Sequence, residues 1–297
     1  MPEEADPEVV GSPHGAARRR AYRYRGLTVA VGIGLVLGVA GGIAAHAVWP
    51  DESPATDKPP AAAGTVASEA ETIRAAMLKQ KRVGVGVLAR EGGDPDFFTG
   101  RARLELRDAT TAHAETHVLY DMGEGHAWYP PEIVLIGNRA AITPAKEMTG
   151  PAYGRDGAFR TVSDANAAAT DDVPLHNALE ARWLAEPAHL VALLDGATRV
   201  STRRAGAGDT RTLTGSTPLR ALGADAVVGR LYRPYATTNP GGTVRFTLTV
   251  NSRDLPGTLK TEVPSRDGED IFSVEYRRWG KGAPITRLPS PATPSAS

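Results

Sequence analysis

From Val83 to Trp279 apolar and polar side chains trade places at every second position, in one short run after another. Val83, Val85 and Val87 alternate with Gly84 and Gly86. Phe98, Gly100, Ala102, Leu104 and Leu106 alternate with Thr99, Arg101, Arg103, Glu105 and Arg107. Phe272, Val274 and Tyr276 alternate with Ser273, Glu275 and Arg277. A period of two sends the two sets to opposite faces of a β-strand, so each run predicts a strand with one buried face. Residues 132–136 and 139–143 are separated only by Gly137 and Asn138, a two-residue connection that folds the second strand back antiparallel to the first. Further strand signals at 116–121, 126–129, 198–204, 210–214, 243–250 and 258–263 give about ten strands in all.

Helical spacing interrupts this pattern in a few places. Ser68 can cap a helix whose capping box closes at Glu71 and whose apolar face holds Ile73 and Met77. Residues 175–184 and 188–194 predict two more helices, with Pro187 in the first turn of the second. Residues 218–222 predict a short one. Residues 144–173, rich in Gly, Pro and Ala, read as a long loop. An antiparallel sheet with one apolar face needs a cover, and these helices supply it. The expected class is α+β, a curved antiparallel sheet with helices over its concave face and an apolar space between them.

Ahead of this domain, residues 27–48 carry no Asp, Glu, Lys or Arg. As a helix they would span about 33 Å, enough for a hydrocarbon core of about 30 Å. Arg18, Arg19, Arg20, Arg23 and Arg25 precede the stretch, and only Lys58 follows it over a similar distance. That asymmetry predicts a cytoplasmic N-terminus and an extracytoplasmic C-terminal domain. The alternative is a secreted chain, because Ala45-His46-Ala47 has the small-x-small form of a signal-peptidase site. The long polar lead and the length of the apolar run favour a retained single-pass anchor. Gly34, Gly38 and Gly42 have the spacing that lets two membrane helices approach closely. The expected organisation is a cytoplasmic segment 1–26, a transmembrane helix 27–48, a Pro/Ala-rich linker 49–67, an extracytoplasmic domain 68–288 and a disordered tail 289–297.

Composition removes several kinds of chemistry. There is no cysteine, hence no disulfide, thiolate metal site or cysteine nucleophile. Lys and Arg total 34 and Asp and Glu total 34, so charge gives no reason to expect nucleic acid as a partner. No GxSxG elbow or dinucleotide-binding loop occurs. His113 and His117 have the i, i+4 spacing that suits a metal on a helix, but on a strand their rings lie about 13 Å apart. They read as a solvated strand edge. Neither a cofactor nor a metal nor an enzymatic activity is expected.

Several runs resemble a known family: Glu186-Pro187 ahead of Leu190-Val191-Ala192-Leu193-Leu194-Asp195-Gly196, then Val244-Arg245-Phe246-Thr247-Leu248-Thr249-Val250, and finally Val274-Glu275-Tyr276-Arg277-Arg278-Trp279-Gly280 with Ala283-Pro284-Ile285. In this order, after an N-terminal helix and a meander, they resemble the actinobacterial LppX/LprG-type lipid-carrier lipoproteins, a half-barrel fold shared with LolA, LolB and the sensor domain of RseB. The resemblance implies non-enzymatic binding of a lipid or other hydrophobic ligand. The chain departs from it in lacking the lipidated cysteine, in whose place the apolar helix would act as anchor. The candidate cavity wall comprises Val85, Leu104, Leu106, Phe246, Leu248 and Phe272 from strands and Trp183, Leu184, Leu190 and Leu193 from helices. Alternation alone does not separate a hollow face from a packed one. If position 104 lines a cavity, Leu104→Arg abolishes ligand uptake and leaves the domain soluble; if it is core, the domain unfolds. The RseB likeness implies the alternative of an envelope sensor module that docks a protein partner.

Overall fold

The computed structural model of the chain describes residues 63–90, 92, 98–119, 131–144, 159–204, 210–266 and 268–290. Its secondary structure begins with α1 (Ala63–Gln80), followed by β1 (Arg82–Arg90), β2 (Phe98–Leu106), β3 (Ala112–Leu119), β4 (Glu132–Ile136), β5 (Arg139–Thr143) and β6 (Arg160–Val162). Three helices follow: α2 (Ala165–Ala168), α3 (Val173–Ala185) and α4 (Pro187–Asp195). Next come β7 (Arg199–Arg204), β8 (Arg211–Pro218), α5 (Leu219–Ala224) and α6 (Gly229–Thr238). The last elements are β9 (Thr243–Val250), β10 (Pro256–Ser265) and β11 (Gly268–Arg277).

All eleven strands form one sheet in the order β6-β5-β4-β3-β2-β1-β11-β10-β9-β8-β7. Each described pairing is antiparallel. Every spatial neighbour is also a neighbour in sequence except β1 and β11. The sheet is therefore two meanders joined along the middle by its first and last strands. This arrangement leaves β6 and β7 on opposite edges, so the chain between them must cross the whole sheet. Laid flat, ten strand spacings measure about 48 Å. The crossing helices α3 and α4, of 13 and 9 residues, reach only about 20 and 14 Å. Helix α2 and the loop residues supply the rest of the crossing, and α3 packs over β2, β3, β4 and β11 at the middle of the sheet.

Register carries the apolar alternation across strands. Val83, Leu104, Ala114, Leu135 and Ala140 form one continuous cross-strand row. Val87, Val274, Leu259, Leu248 and Leu213 form another on the far half. Both rows are buried in a single contiguous core with Ile73 and Met77 of α1, Leu175 and Leu179 of α3, Leu193 of α4 and Tyr232 of α6. Gly215 is needed for this packing: a Cβ there would overlap the Phe246 ring, which lies against the β8 backbone.

Several details differ from the sequence reading. The first helix starts at Ala63, not at Ser68, whose carbonyl instead accepts from Thr72 Oγ1 at 2.8 Å within the helix. The alanines that follow Pro60 are strong helix formers and carry the helix upstream past the polar cap candidate. The stretch read as a loop contains β6 and α2, the latter capped by Asp164, whose carboxylate accepts from Ala167 N at 3.0 Å. The predicted Gly137-Asn138 hairpin is present, and Asn138 also docks α2 by donating its side-chain amide to Asp164 at 2.8 Å. Helix α6 had no counterpart in the reading. His113 and His117 do not lie on a sheet edge, because β3 is an interior strand between β2 and β4.

After β11 the chain turns back over the outer face. Ile285 is buried there, donating its N–H to Glu105 at 2.5 Å and accepting through its carbonyl from His113 Nδ1 at 2.8 Å. The predicted membrane span 27–48, with Gly34, Gly38 and Gly42, lies outside the described residues, as does the strand signal at 126–129. Among the described residues no helix is long and apolar enough to cross a membrane.

Candidate functional site

Nine of the ten cavity-wall candidates, namely Val85, Leu104, Leu106, Leu184, Leu190, Leu193, Phe246, Leu248 and Phe272, fall in the one buried cluster between sheet and helices. Trp183 stands at its margin, half-buried, with the Arg230 guanidinium 4.3 Å from its ring centroid. Packing within the cluster is uneven. Val83, Leu104 and Leu248 retain 0% of their surface, whereas Ala102 and Phe272 retain 7%, Tyr276 5% and Val85 4%. Leu106 and Ile142 retain 4%, Val200 5% and Ala169 7%, so the residual surface is spread over the cluster and not confined to one group of strands. The Tyr276 phenol has no hydrogen-bond partner, and burial alone pushes its pKa well above the usual tyrosine range. Its ring stacks on Trp279 at 5.7 Å, and Trp279 in turn donates Nε1–H to the Pro256 carbonyl at 3.1 Å.

A second, polar centre sits at the corner where α3 meets α4. Glu186 is buried between the two helices and accepts from the backbone N–H of Ala112, the first residue of β3, at 3.2 Å. Arg182, also buried, lies one turn earlier, with Nε 3.5 Å from Glu186 Oε1, and its NH1 donates to the Gly137 carbonyl in the β4–β5 turn at 2.8 Å. Arg230 of α6 approaches the other carboxylate oxygen at 3.4 Å. Nearby, His189 of α4 is fully buried. Its Nδ1 donates to the Leu184 carbonyl at 2.8 Å, which leaves Nε2 to accept from Tyr232 OH at 2.5 Å. Burial pulls the imidazole down to about 4, so it is neutral at any ordinary pH. These contacts tie α3, α4 and α6 to one another and to the turns of the sheet.

The sequence reading did not find this centre. Its one visible signal is Arg182 and Glu186 at i, i+4 at the end of α3, a spacing that ordinarily marks an exposed ion pair.

No family model matches the sequence, and no curated protein matches it. Solved structures do. LprF from Mycobacterium bovis is similar with a TM-score of 0.47 and 12% identity over 80% of this chain and 100% of LprF. The lipoprotein LppX of Mycobacterium tuberculosis is similar with a TM-score of 0.45 and 11% identity over 75% of this chain and 99% of LppX.

Two surface recesses of about 400 Å³ each lie elsewhere. One is bounded by Arg74, Val191, Asp195, Leu222, Asp225 and Val227 among others, and the second by Thr238, Asn239, Ser265 and Arg266. None of the ten candidates lines either. The Glu186 centre gives the domain a pH dependence. Burial raises its carboxyl to about 7 although Arg182 and Arg230 pull the other way, against an ordinary value of 4.5 when unfolded. Between those values the folded state holds a proton that the unfolded state has lost. Stability is therefore full below about pH 4.5, falls as pH rises towards 7 and levels off above it, by roughly 3 kcal/mol. Denaturant titrations at pH 5 and pH 8 will show the difference, and Glu186→Gln will remove most of it.

Proposed function

We propose that this chain is a membrane-anchored extracytoplasmic protein that binds a lipid or other hydrophobic ligand between its sheet and its helices, without catalysis. The observation that carries the reading is the continuous apolar cluster between the sheet and the helices, which holds nine of the ten candidates and, at Tyr276, a buried phenol with no partner. The lining is mostly apolar, with Thr116 beside Ala102 and Thr261 beside Phe272, which suits an acyl chain. Removing fifteen methylenes from water is worth about 12 kcal/mol. Uptake requires α3 and α4 to part from the sheet, because the walls are in contact in the state described. The anchor rests on the uncharged run 27–48 and the arginines before it.

The test is the acyl-lipid content of the purified full chain, measured by solvent extraction and mass spectrometry beside an Ala102→Trp variant that adds bulk at the middle of the buried face. The expected result is near-stoichiometric lipid on the wild type and at least tenfold less on the variant, at equal helix and strand content. A wild type that carries no lipid, or a variant that carries as much, overturns the reading. Protease treatment of intact cells, expected to digest the C-terminal domain and spare a membrane-bound N-terminal fragment, tests the topology.

A further inference from the structure

The pairing of β3 with β4 brings together three side chains that the sequence keeps apart. Glu115 and His117 stand two residues apart on β3 and so project from the same face, the outer one. Glu132, the first residue of β4, pairs directly with His117 across the strands. One donor atom from each of the three lies within 4.8 Å of the other two. Side-chain rotation alone can close that spacing to the roughly 3.3 Å that separates ligands around an ion held at 2.0–2.1 Å. Among the described residues neither the His117 nor the Glu132 side chain has a hydrogen bond or ion pair. Glu115 has one carboxylate oxygen held by Arg103, which leaves the other open. His113, which suggested a metal pair in the sequence, is committed to the Ile285 carbonyl.

We propose that Glu115, His117 and Glu132 form a divalent metal site that takes Zn²⁺. An imidazole among the donors selects zinc over calcium or magnesium, and the two carboxylates balance its charge. Three protein ligands on an outer face leave the fourth position to water. Arg103 acts as the outer partner that orients Glu115. Arg101, opposite His117 on β2, is the charge the ion must displace. The bound ion cross-links β3 to β4, and through β4 steadies the edge formed by β5 and β6.

Isothermal titration of the untagged full chain with ZnCl₂, repeated with Co²⁺ followed by visible absorption, tests the site. The expected result is one ion per chain with a tetrahedral Co²⁺ spectrum. His117→Ala and Glu132→Gln should each weaken binding tenfold or more, and His113→Ala should leave it unchanged. All three positions face outward, so the melting of each variant serves as the folding control. Absence of saturable uptake, uptake indifferent to His117→Ala, or an equal loss in His113→Ala overturns the proposal and leaves a charged cross-strand ladder.

Discussion

Leu104→Arg is expected to leave no folded domain. Leu104 retains 0% of its surface and pairs with Val83 on one side and Ala114 on the other, at the middle of a continuous apolar row. An arginine can keep its charge hydrated only where its stem reaches water, and this position offers no such route. Burying the unpaired guanidinium costs several kcal/mol, and the larger side chain adds about 1–3 kcal/mol of overpacking. Set against a total stability of about 5–15 kcal/mol for an ordinary domain, the sum leaves little or nothing. The measurement is the soluble yield and the thermal melt by circular dichroism, with no cooperative transition expected. Leu104→Ala should still fold and lose about 2–5 kcal/mol, the usual cost of a buried leucine. A soluble Leu104→Arg domain with a normal melt would put position 104 against open space instead.

That expectation marks where the sequence stopped being informative. Alternation at Val83-Val85-Val87 and at Phe272-Val274-Tyr276 was enough to place β1 and β11, because each strand buries one face only. The Gly137-Asn138 turn placed β4 and β5, since two residues between strands permit little else. The same alternation says nothing about how deeply a face is covered, so wall and core candidates had the same signature. Nor does it reveal that β1 pairs with β11, a contact between the two ends of the domain on which the sheet order depends. Helix α6 was hidden for a different reason. Its run GRLYRPYATT holds a proline and two threonines, and Tyr232 with the half-buried Leu231, Tyr235 and Ala236 seats it on the core, so packing rather than propensity fixes it. Strand β6 has three residues, too few to show a period. The Glu186 centre was out of reach because its partners come from positions 112, 137, 182 and 230 and meet only when the helices cross the sheet.

Arg182→Ala should therefore be the most damaging change at that centre. It removes the nearer cation from a buried carboxylate and leaves the Gly137 carbonyl without its donor. Breaking one side of a buried pair typically costs about 3–5 kcal/mol, most of it from the charge left behind. Here the penalty has a pH signature. Glu186 can escape it by taking up a proton, and without Arg182 its carboxyl rises further above the 7 it already reaches. The loss should be small at pH 5 and full at pH 8, opposite to a simple cavity, whose cost does not depend on pH. Hydrogen exchange should quicken first in β4 and β5, whose turn Arg182 holds. Replacing both partners, Arg182→Met with Glu186→Leu, removes charge and counter-charge together and should recover most of the stability. A double variant as unstable as Arg182→Ala would mean that the hydrogen bonds to Ala112 and Gly137, rather than the charges, hold the helix layer on the sheet.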